Sequence, residues 1–354
     1  MPSSASLDVF YRYKIQNKLS DSETIREYFY TLDAKRNGYL ENSEFRKFLT
    51  GLFSNKNKPY PLSNNEVEKI FNIFCEKKNQ KLYLNDFNNL WLKFVIPTVR
   101  PRTALVIVDV QNDFIDGTMA ISKCPSGQDG SEVIPCINEL IRSVPFDAIV
   151  YTYDWHPEDH CSFIENVHKR KLAPNSPTRK NVQVNDIVIF ENYPDIEQKL
   201  WPAHCIQGSY GSELHPDLIL IDEKSDPFRR SVIKTYKGVK SDIDSYSAFF
   251  DNCKLNETNL NSDLKKLGIN ELYVCGLAGD VCVAATCNDA LDLGYRVVFI
   301  EDGCRGIIVE DIERQKMKLS NRNSVIARSN QVSNMVTGRD RRPELAFITL
   351  NLKN

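Results

Sequence analysis

No stretch of this 354-residue chain approaches the roughly eighteen consecutive apolar residues of a membrane-spanning helix. Its start, Met1 to Asp8, also lacks the basic-then-apolar order of a signal peptide. These absences lead to the expectation of a soluble protein of the cytoplasm, with the nucleus left open, and not of a secreted one. Charge of one sign is not in excess either: 45 Lys and Arg stand against 47 Asp and Glu, a net charge of −2. With no basic face to neutralise phosphates, nucleic acid and anionic membrane are poor partners, and a small molecule is the better expectation. Histidine is scarce, with five in the whole chain. The ten cysteines are scattered through a large chain without a secretory start, which favours reduced thiols, most of them small buried hydrophobes.

The length suits one domain of about 200 to 250 residues plus a smaller one of about 100. From Asp21 to about Phe94 an apolar-periodic stretch, a polar loop and another apolar-periodic stretch occur twice, the pattern of paired helix–loop–helix units. The first loop, Asp33 to Glu44, places Asp33, Asn37, Gly38, Leu40 and Glu44 at positions 1, 5, 6, 8 and 12, the EF-hand layout. Glycine permits the sharp turn, Leu40 is expected to pack between paired loops, and Glu44 offers two oxygens. Asp33, Asn37 and Glu44 are therefore candidate calcium ligands, although Lys35 at position 3 replaces an oxygen with a cation. The second loop, Cys75 to Asp86, keeps only the spacing, with Lys77 at position 3 and Gln80 where glycine belongs; it reads as a structural partner without a metal.

Residues 1–96 are thus expected to form a small all-α module, and 97–102 a linker, because Pro97 and Pro101 end a helix and cannot open a central strand. Residues 103–354 are expected to form the second domain. There, Ala104 to Val110, Ala148 to Thr152, Glu271 to Gly276 and Arg296 to Ile300 are short β-branched runs suited to strands buried on both faces. Helical patterns intervene at Asn261 to Leu267, Val281 to Leu293 and Val309 to Leu319. This alternation predicts a doubly wound parallel α/β sheet, whose ligands sit beyond the carboxyl ends of the strands.

Three clusters lie at such positions. Asp109 is a carboxylate in a buried strand, costly unless paired; alone it could simply cap backbone amides. Cys282 follows a strand and opens a helix, where free N–H groups and the macrodipole favour a thiolate; Cys275, Cys287 and Cys304 fit a structural role. Asp154, His156 and His160 follow the strand Ala148 to Thr152, and His204 follows in Trp201 to Cys205. Imidazoles beside a carboxylate in loops at the sheet edge suit zinc, iron or manganese, or else merely pack.

In their order, Val108 to Phe114, Asp154 to Pro157, Trp201 to Cys205, Lys237-Gly238, Tyr246 to Phe249 and Gly276 to Cys282 resemble the motifs of nicotinamidases, within the isochorismatase-like hydrolases. The resemblance implies a cysteine amidase acting on nicotinamide in NAD salvage. It implies a catalytic triad of Asp109, Lys237 and Cys282, Lys237 being preferred over Lys234 because Gly238 follows it. Asp154, His156 and His204 would hold one divalent transition metal, zinc before iron or manganese, with His160 left outside the set. Phe114, Trp201 and Tyr246 would wall the pyridine ring, and a cis peptide before Ala278 would turn its N–H, with that of Cys282, into an oxyanion hole. The metal would fix the ring nitrogen or activate water. Two other readings remain: a different isochorismatase-like amidase, and a calcium-responsive scaffold with an inactive hydrolase domain. Neither oligomeric state nor the role of the insert from about Glu165 to Ser231 is legible.

Overall fold

A computed structural model describes residues 8–56, 58–75 and 80–351. It divides into two compact units: residues 1–102 together with 330–354, and residues 103–329. The expected second domain, 103–354, therefore loses its last segment to the first unit, within which the helix Pro343–Asn351 contributes Ala346 and Leu350 to the apolar core.

In that unit the helices Ser22–Leu32, Asn42–Leu52, Asn64–Phe74 and Leu84–Leu90 carry the two helix–loop–helix repeats. Asp21 and Ser63 accept backbone N–H bonds at the starts of the first and third, as capping residues should. Phe29, Phe45, Phe48, Phe71 and Phe87 meet in a fully buried aromatic core. Tyr39–Leu40 pairs antiparallel with Leu82–Tyr83, joining the two loops, and Leu40 is buried as expected. Gln80 takes φ +57°, filling the turn position where glycine was missing, whereas Lys77 lies outside the described residues.

The linker reading needs correction. The chain stays helical past Leu90 through a π turn, Trp91–Val95, and the helix Ile96–Val99. Pro97 sits within the first turn of that last helix, where a missing N–H costs little, and Thr98 and Val99 are buried.

The second unit is built on six parallel strands: β1 (Thr103–Val108), β2 (Ala148–Asp154), β3 (Ser231–Lys237), β4 (Glu271–Leu277), β5 (Arg296–Arg305) and β6 (Val325–Ala327). Their spatial order is 6-5-4-1-2-3. The order reverses between β1 and β4, and a crevice opens beyond their carboxyl ends at such a reversal. Strands β1, β2 and β4 are buried at every residue, which is why they read as continuous apolar runs. β3 is an edge strand with alternating burial and two lysines, and its sequence gave no such run. The helices Val133–Ser143 and Cys282–Asp292 pack against β4 and β5. Within the insert, Ile187–Val188 pairs with Gln198–Lys199 over a small cluster of Cys161, Val188, Phe190 and Leu200. Among the described residues no helix is long and apolar enough to cross a membrane.

Candidate active site

Four neighbouring strands, β4, β1, β2 and β3, each end by delivering one polar side chain to the crevice. β1 hands over Asp109, which adopts φ +49° and is fully buried. A left-handed conformation at a non-glycine residue is uncommon and is sustained only where the surroundings impose it. Thr152 of β2 supplies part of that constraint: its hydroxyl donates to Asp109 Oδ1 and accepts the Asp109 N–H. β2 ends on Asp154 and β3 ends on Lys237, paired in register.

Lys237 is the hub. Its Nζ lies 2.9 Å from Asp109 Oδ2 and 2.8 Å from Asp154 Oδ1, donates to Ser245 O at 3.1 Å, and stands 3.4 Å from Cys282 Sγ. Burial works against its charge, but Asp109 and Asp154 outweigh it and hold the ammonium well above its ordinary pKa. Burial pushes Asp109 up despite Lys237. Burial also pushes the Cys282 thiol well up, Lys237 opposing and the two carboxylates reinforcing it. Desolvation and the two carboxylates thus oppose the thiolate that the helix start and Lys237 favour. Helix position alone does not overcome desolvation in a site with two nearby carboxylates.

Cys282 opens the helix Cys282–Asp292. The preceding turn uses Ala278 O to accept from Val281 and Val283, while the N–H groups of Ala278 and Cys282 have no acceptor among the described residues. The Leu277–Ala278 peptide is cis, as the resemblance implied.

Asp154, His156 and His204 converge, their ligand atoms lying within 4.8 Å of one another. His156 Nε2 is 2.9 Å and His204 Nε2 3.4 Å from Asp154 Oδ2. Each ring's Nδ1 faces a backbone carbonyl, Gly238 O at 2.9 Å and Pro202 O at 2.7 Å. A carbonyl can only accept, so each Nδ1 carries hydrogen, and each neutral ring directs the Nε2 lone pair at a carboxylate. Three acceptors facing one another repel unless a cation sits among them. Asp109, Asp154 and Lys237 also leave the buried cluster one negative charge in excess, so the donor set fits a divalent metal. With no cation between them, Asp154 would override the burial that disfavours a charge on His156 and raise its pKa, drawing a proton to the same place.

Gly238 explains the lysine–glycine pair: it has φ +64°, and a Cβ there would stand 2.3 Å from His156 Cε1. His160 stacks on His156 with ring centroids 4.0 Å apart and meets Ser162 Oγ through Nδ1; burial lowers its pKa to about 3. Its Nε2 has no hydrogen-bond partner among the described residues, and it forms a second convergence with His156 and Asp244.

Phe114, Trp201 and Tyr246 line a pocket shared with Asp154, His156, His204, Ala278 and Cys282. The sequence reading did not anticipate the other apolar walls, Met119, Ile121 and Ile307, or Asp244. Nor did it assign Gln111 and Asp113 a task. Gln111 donates to Asp154 O and accepts Asp154 N–H, both at 2.8 Å, fixing that residue's backbone. Asp113 accepts Cys205 N–H at 2.7 Å, which holds the His204 loop. Their signal was present in the polar run after β1, but partners 43 and 92 residues away are invisible to local pattern.

The candidate calcium residues lie in the first unit. Asp33 accepts Asn37 N–H and Gly38 N–H at 3.1 and 2.9 Å, and Glu44 accepts Ala34 N–H and Glu41 N–H. The Asn37 side chain accepts Tyr39 N–H. Lys35 pairs with Glu41. The loop's oxygens are engaged by its own amides.

Residues 103–331 match a model of the isochorismatase domain, and residues 22–92 match an EF-hand domain pair. A nicotinamidase of Acinetobacter baylyi is 40% identical over 58% of this chain and 81% of its own length. That of Saccharomyces cerevisiae is 35% identical over 57% and 88%. Among solved structures, an Acinetobacter baumanii nicotinamidase and pyrazinamidase aligns with TM-score 0.54 at 34% identity, covering 65% of this chain and 98% of that one. The yeast nicotinamidase bound to the inhibitor nicotinaldehyde gives 0.50 at 31%, covering 64% and 99%.

Proposed function

The chain belongs to the isochorismatase family, and from that premise we propose that it hydrolyses nicotinamide to nicotinate and ammonia, with Cys282 as nucleophile. One observation carries the assignment of roles: Lys237 Nζ within 3.4 Å of Cys282 Sγ, 2.9 Å of Asp109 and 2.8 Å of Asp154. A single ammonium thereby ties nucleophile, base and metal-site carboxylate together.

In this mechanism Asp109, its proton affinity raised by burial, takes the thiol proton as Sγ attacks the amide carbon. Lys237 faces the sulfur as its charge develops, which offsets the desolvation that opposes the thiolate. Negative charge on the carbonyl oxygen meets the N–H groups of Ala278 and Cys282, worth about 3 to 4 kcal/mol per donor in comparable sites. Asp109 returns its proton to the nitrogen, the C–N bond breaks, and ammonia leaves a thioester. Water, deprotonated by Asp109, adds to the thioester, and the departing sulfur recovers a proton as nicotinate is released. Phe114, Trp201 and Tyr246 hold the ring in the apolar pocket.

The same reading assigns Asp154, His156 and His204 to a divalent transition metal, since two imidazoles and a carboxylate suit zinc, iron or manganese. A metal held there would supply a Lewis acid, to fix the ring nitrogen or to activate water. The first EF-hand loop is read as a weakened calcium site, since Lys35 places a cation at a ligand position, where it pairs with Glu41.

The test is ammonia release from nicotinamide by purified protein beside Cys282→Ala, with metal content measured on both. Release by the parent and none by a Cys282→Ala protein of equal metal content supports the reading. Absence of release from folded, metal-loaded parent protein overturns it.

A further inference from the structure

The turn that carries Cys282 is clasped from outside the pocket. Gly279 N–H donates to Arg305 O at 2.8 Å. The next residue, Asp280, accepts Ile307 N–H at Oδ1 and Ile308 N–H at Oδ2, each at 2.9 Å. Ile308 immediately precedes the helix Val309–Asn321, so the carboxylate takes the place that a helix start offers to an anion. Two backbone N–H groups on one carboxylate make a strong, directional attachment. Gly306 leaves the room for it: a Cβ there would stand 2.4 Å from Asp280 Oδ1.

The loop on the far side of the clasp is held a second time. Ser126 N–H donates to Ile307 O and Ser126 Oγ to Gly306 O, while Gly306 N–H donates to Gln128 Oε1. Ile307 therefore keeps its place in the pocket wall through these bonds. In the turn from Ala278 to Cys282, by contrast, the clasp comes from Gly279 and Asp280. Asp280 is not among the residues that line the inner pocket with Phe114 and Cys282; it faces an outer cavity of about 390 Å³.

We infer that Asp280 is a positioning residue: by fixing the turn against Ile307 and Ile308, it aims the N–H groups of Ala278 and Cys282 at the oxygen on which charge develops. The inference rests on the amidase reading and deepens it. Ala278 and Cys282 lie two residues to either side of Asp280, so release of this one side chain displaces both donors. A misplacement on the order of 1 Å costs about a hundredfold in rate at a site of this kind.

The test compares the full-length parent with Asp280→Asn, which keeps the size of the side chain but turns an NH2 group toward an N–H that needs an acceptor. Two ligands separate the turn from the ring pocket. Nicotinaldehyde takes up the thiol: the S–C bond forms, the carbonyl π pair moves to oxygen, the thiol proton passes to Asp109, and the oxyanion meets the two N–H groups. Pyridine, with no oxygen to offer the turn, reads the ring pocket alone. Both dissociation constants are measured by titration calorimetry, and the adduct is verified by mass spectrometry.

In Asp280→Asn, kcat/KM for nicotinamide and the affinity for nicotinaldehyde should fall together by about tenfold or more, while pyridine binds as it does to the parent. Gly306→Ala, which drives a Cβ against the same carboxylate, should give the same pattern. Unchanged affinity for the aldehyde overturns the inference, and so does a parent that forms no adduct. Equal loss of aldehyde and pyridine in both variants, folded or not, makes Asp280 merely structural and also overturns it. Adduct formation needs no amide, so a parent that takes up the aldehyde yet releases no ammonia from nicotinamide sinks the amidase reading and leaves Asp280 to be judged on the aldehyde.

Discussion

Cys282 is one of ten free cysteines, and what distinguishes it is the company of Lys237 at 3.4 Å. Cys275 and Cys287, fully buried, have their thiols pushed well up by desolvation with no ammonium beside them among the described residues. Replacing Cys282 with alanine should cut ammonia release by about a thousandfold or more while melting temperature stays near that of the parent, checked by coupled assay and thermal unfolding. Asp109 makes a second prediction. Its proton affinity is raised by burial, and it acts only when deprotonated, so activity is full above its pKa and falls as pH drops through it. The acid limb of kcat/KM should therefore lie above the ordinary aspartate range of about 4, and a limb at or below that range would rule Asp109 out as the base. At Gly238, alanine would drive a Cβ into the His156 ring and force a left-handed conformation on a residue that resists it. Metal content after dialysis should drop in Gly238→Ala, measured by elemental analysis.

At the scale of elements, the site is the meeting of strand ends. The four residues Asp109, Asp154, Lys237 and Cys282 follow or end β1, β2, β3 and the turn after β4. The strands β1, β2 and β4 were readable because burial on both faces writes an unbroken apolar run. The edge strand β3 was not, since alternating lysine, threonine and tyrosine look like a surface segment until the neighbouring strand is in place. Likewise Asp113, close to Asp109 in sequence, proves to hold the loop of the proposed metal ligand His204, ninety residues on. Asp113→Ala should release that loop and lower metal affinity by about 10- to 100-fold, the usual cost of losing an outer support, measured by competition with a chelator.

For the whole molecule, the consequential fact is that the second unit is an insertion within the first: the chain leaves the EF-hand unit at Arg102 and returns to it at Asn330. A fragment of residues 103–329 should therefore remain monodisperse, whereas 103–354 should carry a helix stripped of the aromatic core that covers Ala346 and Leu350. Size-exclusion chromatography of the two decides it, and equal behaviour would place the final helix with the hydrolase unit instead.

The sequence by itself determined the class of fold and the EF-hand spacing, and it picked out the residues proposed here as nucleophile, base, lysine and metal ligands. Each of those is a local pattern: a period, a loop of fixed length, or a motif at the end of an apolar run. Only the tertiary structure decided that Pro97 lies inside a helix, that Gln111 and Asp113 hold the backbone at Asp154 and Cys205, that burial raises the Cys282 thiol's pKa, and that the last segment belongs to the first unit. Those outcomes depend on desolvation and on partners far away in the chain, and neither is written in the spacing of residues along it.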